Sequence, residues 1–376
     1  MNAAPVAAGD AKATVAELGA LWNKVRDAYV RVGRVAHRTP VMRSRTLDER
    51  AGASVALKCE NFQRMGAFKF RGAYNLIAQL DDTARARGVV AYSSGNHAQA
   101  VALVAQMFDV PATIVMPSTA PRAKIDAVRE YGADIVFYDQ VGEEREALAT
   151  RLAGEREATL VPPFDHPDTI AGQATAAYEL FKDEGHQDVL LVPLGGGGLL
   201  SGSALVAWRW LHRVRVFGVE PANGDDGARS FAAGRRVRVE NPQTIADGAR
   251  TPSLGALTFP VIRSLVDGIL TVTDAEIVEA MRFAFERLKL VVEPTGALGL
   301  AALLAGKVPH LDPAETPRPT ADFAGPEGGP TPMEGSMTMR AEGEFQRVAV
   351  ILSGGNVDLA QLGRLFAADG GASTTR

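Results

Sequence analysis

Asn61-Phe62-Gln63-Arg64-Met65-Gly66-Ala67-Phe68-Lys69-Phe70-Arg71-Gly72-Ala73 is the stretch whose reading decides the fold of this chain. The apolar run before it, Val55-Ala56-Leu57-Lys58-Cys59, reads as a short strand, and Ala73, Leu76, Ile77 and Leu80 after it fall at helical spacing. Lys69 therefore stands at a strand-to-helix turn between two phenylalanines. Apolar neighbours desolvate an amine and lower its pKa, and a neutral amine can form a Schiff base. A lone lysine at a helix start is more simply a surface lysine. Three further glycine- and serine-rich turns in the chain shift the balance toward chemistry.

Outward from this turn, strands and helices alternate. Gly88-Val89-Val90-Ala91-Tyr92, Ala112-Thr113-Ile114-Val115-Met116 and Asp134-Ile135-Val136-Phe137-Tyr138 read as strands, with helical spacing between them. Val189-Leu190-Leu191-Val192 and Val348-Ala349-Val350-Ile351-Leu352 read as buried strands, and the helix over 274–288 has Asp274 as its expected N-cap. This alternation predicts an α/β protein of two lobes, each a mostly parallel twisted sheet flanked by helices. Residues 88–163 are expected to form a small domain, inserted between the parts 14–87 and 164–376 of a larger one. Residues 1–13 are Ala-rich and expected to be a disordered tail. Over 309–344, prolines 309, 313, 317, 319, 326, 330 and 332 accompany few aliphatics. Such a segment cannot bury enough apolar surface to offset its ordering entropy, so a flexible insertion is expected.

Composition narrows the function. With 46% hydrophobic and 22% charged residues and a net charge of -4, the chain has the make-up of an ordinary globular protein and carries no basic stripe for nucleic acid. Cys59 is the single cysteine, inside a strand, so neither a disulfide framework nor a cysteine-rich metal site is expected. No apolar run approaches the ~18 residues needed to span a bilayer. The N-terminus lacks a basic region followed by an apolar core. A cytoplasmic location without membrane contact is expected. Only a short stretch follows Ser353, and no further regulatory domain is expected there.

Three turns carry the chemistry. Gly195, Gly196, Gly197 and Gly198 lie between a buried strand and a helix, where amides without Cβ atoms in the way can close on an anion. No Gly-Lys-Ser/Thr follows, and no dinucleotide fingerprint accompanies it, so a phosphate monoester is the ligand it suits best. A plain tight turn is the alternative. Ser93-Ser94-Gly95-Asn96-His97 offers hydroxyls, an amide and helix-start N–H groups at a strand's carboxyl edge, which suits a substrate carboxylate. A simple serine cap is the alternative there. Ser353-Gly354-Gly355-Asn356 follows the last strand, and its serine hydroxyl can hydrogen-bond a ring nitrogen without protonating it. The histidines have no metal-ligand spacing.

Taken jointly, Phe68-Lys69-Phe70-Arg71-Gly72-Ala73, the Ser93-to-His97 turn with Ala98-Gln99, the four glycines and Ser353-Gly354-Gly355-Asn356-Val357-Asp358 resemble the fold-type II pyridoxal-phosphate enzymes (tryptophan synthase beta-like). Within these the chain resembles the serine/threonine dehydratases and serine racemase, over about residues 20 to 308 and 346 to 360. Ala67 stands where that family usually has serine. The resemblance implies Lys69 as the Schiff-base lysine beside Phe68, Asn96 on the ring hydroxyl, the four glycines on the phosphate, Ser353 at the pyridine nitrogen and Glu293 near the ring. Ser93, Ser94, Asn96 and His97 would meet the substrate, with Ser94 as the proton donor opposite Lys69. Glu220, Asp226 and the Gly224 carbonyl, in Glu220-Pro221-Ala222-Asn223-Gly224-Asp225-Asp226, would ligate Mg²⁺, Mn²⁺ or Ca²⁺. An acidic loop without a metal is the alternative. The implied activity is pyridoxal 5'-phosphate-dependent elimination of L-threonine and/or L-serine to a 2-oxo acid and ammonia, in a homodimer or homotetramer. Serine racemase is the close alternative, and a non-catalytic pyridoxal-phosphate or amino-acid binder is the alternative from another class.

Overall fold

The computed structural model describes residues 11–93, 95–120, 122–139, 144–210, 214–310 and 345–369. Residues 1–10 of the expected tail, Ser94 and residues 311–344 of the expected insertion lie outside the described residues. The strands are β1 (Val41–Met42), β2 (Ala53–Cys59), β3 (Val89–Tyr92), β4 (Ala112–Pro117), β5 (Asp134–Tyr138), β6 (Thr159–Leu160), β7 (Val189–Pro193), β8 (Arg215–Pro221), β9 (Gly268–Val272) and β10 (Gln346–Leu352). They form a six-stranded sheet in the order β1-β2-β10-β7-β8-β9 and a four-stranded sheet in the order β5-β4-β3-β6. All pairings are parallel except β1 with β2. The α/β, parallel-rich fold expected above is the fold observed.

Val348–Leu352 of strand β10 show why this stretch has no polar face. Val348, Val350 and Leu352 point into a core with Leu57, Leu191, Met281 and Leu300. Ala349 and Ile351 point the other way, into a core with Leu180, Leu190 and Leu205. A parallel strand covered by helices on both sides must be apolar throughout. Edge strand β5 instead exposes Asp134 and Phe137.

The helix Lys69–Ile77 joins the two sheets. Its Phe70, Leu76 and Ile77 enter the core beneath the four-stranded sheet with Val101 and Ile114. Burying a residue such as Phe70 contributes about 1.5–3 kcal/mol. The opposite side lies on the helix Pro167–Glu184, at a contact where a Cβ on Gly172 would come 2.4 Å from the Arg71 carbonyl. One expected detail is corrected. Thr273, not Asp274, caps the helix Asp274–Phe283, through a capping box with Glu276. Asp274 accepts instead from Thr244 Oγ1 (2.6 Å), because its side chain is turned toward that loop.

Candidate active site

One cleft of about 960 Å³, open mouth included, is lined by Phe68, Lys69, Ser93, Asn96, His97, the four glycines 195–198, Glu293 and Ser353. All of these but Glu293 follow β2, β3, β7 or β10, so the carboxyl ends of both sheets meet there, the usual ligand position in open α/β sheets. Ser94 lies outside the described residues. Glu220, Gly224 and Asp226 do not line the cleft.

Lys69 opens its helix in a backbone that is held on both sides. Ala67 bridges Gly354, Phe68 N–H donates to the Ser353 carbonyl (3.0 Å), and Gly355 N–H donates to the Gly66 carbonyl (2.9 Å). The side chain is half-buried, with its ammonium 5.0 Å from the centre of the Phe68 ring. Nζ donates to the Pro163 carbonyl at 2.6 Å, and among the described residues no acidic side chain pairs with it. Burial pushes its pKa down to about 7. A nucleophilic amine is therefore available near neutral pH.

Two residues further on, Arg71 anchors the same helix. Its buried guanidinium donates to both oxygens of Glu60 (2.7 and 2.8 Å) and both of Glu179 (2.8 and 2.8 Å). Lys58 completes the cluster with Glu179 (2.8 Å) and the Thr39 carbonyl (2.8 Å). Burial pushes the Glu60 carboxyl up, but the charge and hydrogen bonds of Arg71 outweigh it and hold Glu60 below the usual range. Two cations face two anions, so no charge is left over.

A chain of side-chain hydrogen bonds ties two further lining residues, Asn96 and Glu293, to Asn356. Asn356 Nδ2 donates to Asn96 Oδ1 (2.9 Å) and Asn96 Nδ2 donates to Glu293 Oε1 (2.6 Å). Burial, then the charge of Asp247, pushes the Glu293 carboxyl up to about 8. His97 is buried, with Nε2 2.7 Å from the Val161 carbonyl and Nδ1 without a partner among the described residues. Burial, then the nearby Lys69, pushes its pKa down to about 3, so the ring is neutral. The neutral tautomer donates Nε2–H to that carbonyl. Ser93 Oγ accepts from Gly95 N–H (3.1 Å).

The glycine run fits a phosphate monoester. A Cβ on Gly196 would come 2.2 Å from the Phe164 ring, and one on Gly198 would come 2.4 Å from Gln173 Oε1. Gly197 has φ of +96°, which L side chains rarely adopt. Among the described residues none of the four amides donates to a backbone carbonyl or side chain. They sit at the start of the helix Gly198–Trp210, where an anion is favoured.

The expected metal ligands form a separate buried pair. Glu220, near the carboxyl end of β8, accepts from the amides of Gly227 (3.1 Å) and Ala228 (2.6 Å). Asp226 Oδ2 is buried without a partner among the described residues. Burial, then the charge of Asp226, pushes Glu220 up to about 9, and burial pushes Asp226 up to about 8. Among the described residues no group of three His, Cys, Asp or Glu side chains could hold a metal. Two buried carboxylates, one with an oxygen left without a partner among the described residues, suit an oxygen-ligated divalent cation if the Gly224 carbonyl joins them.

Sequence reading missed Tyr92, Arg145, Pro163, Phe164, Asp247 and Thr295, which also line the cleft. None sits in a glycine- or serine-rich turn. Arg145 begins the helix Arg145–Glu155, and its pattern looks like any solvated helix start.

Residues 33–316 match the family of pyridoxal-phosphate-dependent enzymes. The chain is 48% identical to an L-threo-3-hydroxyaspartate ammonia-lyase from Pseudomonas sp over 345 residues, 92% of this chain and 98% of that one. It is 44% identical to a serine racemase from Schizosaccharomyces pombe, over 90% of this chain and 94% of that one. The solved structure of maize serine racemase superposes with a TM-score of 0.78 at 40% identity, covering 92% of this chain and 97% of that one. A half-buried lysine with a lowered pKa, a glycine run whose amides are free among the described residues and this match over most of the chain agree, and the chain belongs to the fold-type II pyridoxal-phosphate-dependent enzymes.

Proposed function

We propose that this chain is an ammonia-lyase that eliminates water from β-hydroxy L-amino acids, L-threonine and L-serine among them, to give a 2-oxo acid and ammonia. The observation that carries the reading is the Lys69 amine, with a pKa near 7 and, among the described residues, only a carbonyl to donate to, in one cleft with the glycine run, Ser93 and Asn96. The glycine amides would hold the cofactor's phosphate. Ser353 would meet the ring nitrogen without giving it a proton, and Glu293 would lie near the ring. When bound, the cofactor supplies an electron sink for the carbanion at the substrate's Cα. Lys69 Nζ would take the Cα proton, and Ser93, Asn96 and the following helix amides would orient the substrate carboxylate. The β-hydroxyl leaves as water, and the released enamine hydrolyses to the 2-oxo acid and ammonia. Glu220, Asp226 and the Gly224 carbonyl would hold a divalent cation away from the cleft. Residues 88–163 and the rest of the chain would act as two domains closing on it.

Arg145 in the cleft favours a substrate with a second carboxylate, in keeping with the 3-hydroxyaspartate named for the 48%-identical relative. The test is 2-oxo acid release from L-threo-3-hydroxyaspartate, L-threonine, L-serine and D-serine. Arg145→Met should raise KM for 3-hydroxyaspartate about tenfold and leave that for L-threonine within twofold. No release from any of the four would sink the lyase reading. Racemisation is the second reading, favoured by the 44%-identical racemase. Its test is Ser94→Ala, which should remove reaction of D-serine and spare most elimination from L-substrates; equal losses for both enantiomers would discard the two-face assignment.

A further inference from the structure

The glycine amides can bind an anion only if something behind the loop aims them. The Gly196 carbonyl points away from the cleft, where Thr258 Oγ1 donates to it at 2.7 Å and Gly255 N–H donates to it at 3.2 Å. Gly255 N–H also donates to Thr258 Oγ1 at 3.0 Å, so the hydroxyl has a donor to accept from and an acceptor to point at. A trans peptide is rigid and planar, with its C=O and N–H on opposite sides. Drawing the Gly196 carbonyl toward Thr258 therefore turns the Gly197 N–H the other way, into the cleft. Gly197 holds φ of +96°, with Thr258 packed close enough that a Cβ there would come 2.8 Å from Thr258 Oγ1.

Thr258 is itself anchored. Asp165 accepts from the amides of Ala256 (2.8 Å), Leu257 (2.8 Å) and Thr258 (3.3 Å), satisfying donors at the start of the helix Thr258–Leu265. The neighbouring Phe164 ring closes the loop from the Gly196 side. Thr258 is fully buried, so its hydroxyl meets neither cofactor nor substrate.

We propose that Thr258 is a positioning residue for phosphate binding: its hydroxyl holds the Gly196 peptide in the orientation that presents the Gly197 N–H to the cofactor's phosphate. This rests on the assignment of the glycine run to that phosphate. Thr258→Val keeps the shape and removes the donor. The probes are pyridoxal 5'-phosphate and pyridoxal, which lacks the phosphate, titrated into cofactor-free protein.

Thr258→Val should weaken binding of pyridoxal 5'-phosphate about tenfold and leave that of pyridoxal within twofold. Thr258→Ser should bind both as the unmodified protein does. Thr258→Cys, a poor donor of similar size to serine, should lose affinity for the phosphorylated form alone, and this pair decides the matter if the valine variant does not fold. Unchanged affinity for pyridoxal 5'-phosphate in the valine and cysteine variants would overturn the proposal. Equal weakening of both ligands would also overturn it, because the damage would then not be specific to the phosphate. Unmodified protein that binds pyridoxal 5'-phosphate no tighter than pyridoxal would overturn the cradle assignment itself, and is told apart from the other two by needing no variant.

Discussion

Lys58 and Lys69 lie either side of one loop, and both have their ammonium groups inside the protein. Lys58 is fully buried, 2.8 Å from Glu179, in a cluster whose two cations and two anions cancel. Among the described residues Lys69 has only the Pro163 carbonyl to donate to, and its pKa falls to about 7. Burial alone does not make a lysine reactive; burial without a counter-charge does. The buried acids repeat the contrast. Glu60 beside Arg71 stays below the usual carboxylate range, while burial raises Glu220 and Asp226 to about 9 and 8.

The largest expected effect separates the two lysines by function. Lys69→Ala should lower turnover by roughly 10³-fold or more and abolish the bound cofactor's visible absorbance, while the protein stays folded. Elimination at near the original rate in that variant would show that the wrong lysine was assigned. Lys58→Met should do the opposite. Leaving Glu179 short of a partner should cost about 3–5 kcal/mol in denaturant unfolding, with turnover per folded molecule within a few-fold. A variant of unchanged stability would mean that the cluster is not a charge-balanced unit.

A pH comparison sharpens the contrast further. In cofactor-free protein Lys69 is depressed from 10.5 to about 7, so between those values the unfolded chain binds the extra proton. Its contribution therefore makes stability rise with pH across that window. Lys69→Met should flatten that rise and stabilise the protein most below pH 7. The same slope in both proteins would contradict the depressed pKa.

The smallest effect concerns the uncompensated acids. Glu220 and Asp226 are raised, so the folded state holds their protons up to about pH 8–9 while the unfolded chain releases them near pH 4; their contribution to stability, fully present below about pH 4, is lost as pH rises from there to 8–9. A divalent cation should replace the protons. Mg²⁺, Mn²⁺ or Ca²⁺ added to chelator-treated protein should raise Tm by a few degrees, more at pH 8.5 than at pH 6.5. Glu220→Gln should remove that shift. A Tm indifferent to all three cations would leave the pair as a plain acidic loop.

Much of this was legible along the chain. Alternating apolar runs marked most strands, and parallel strands buried on both faces leave a continuous signal that needs no partner to be seen. The Phe-Lys-Phe turn and the glycine run were legible because each chemistry lies within a few consecutive residues. The short strands β1 and β6 were not, since two residues carry no periodicity. Nor was the Thr273 cap, because Asp274 beside it is an equally good capping residue by type.

The sequence by itself determined the α/β class and where along the chain Lys69, the glycine run and the serine turns stand. Only the tertiary structure decided which lysine is left without a counter-charge, because Glu179 lies far along the chain from Lys58. It also decided that Arg145 reaches the cleft and that Thr258 and Asp165 stand behind the glycines. Charge compensation and hydrogen-bond aim depend on distances between segments remote in sequence, and no local pattern encodes them.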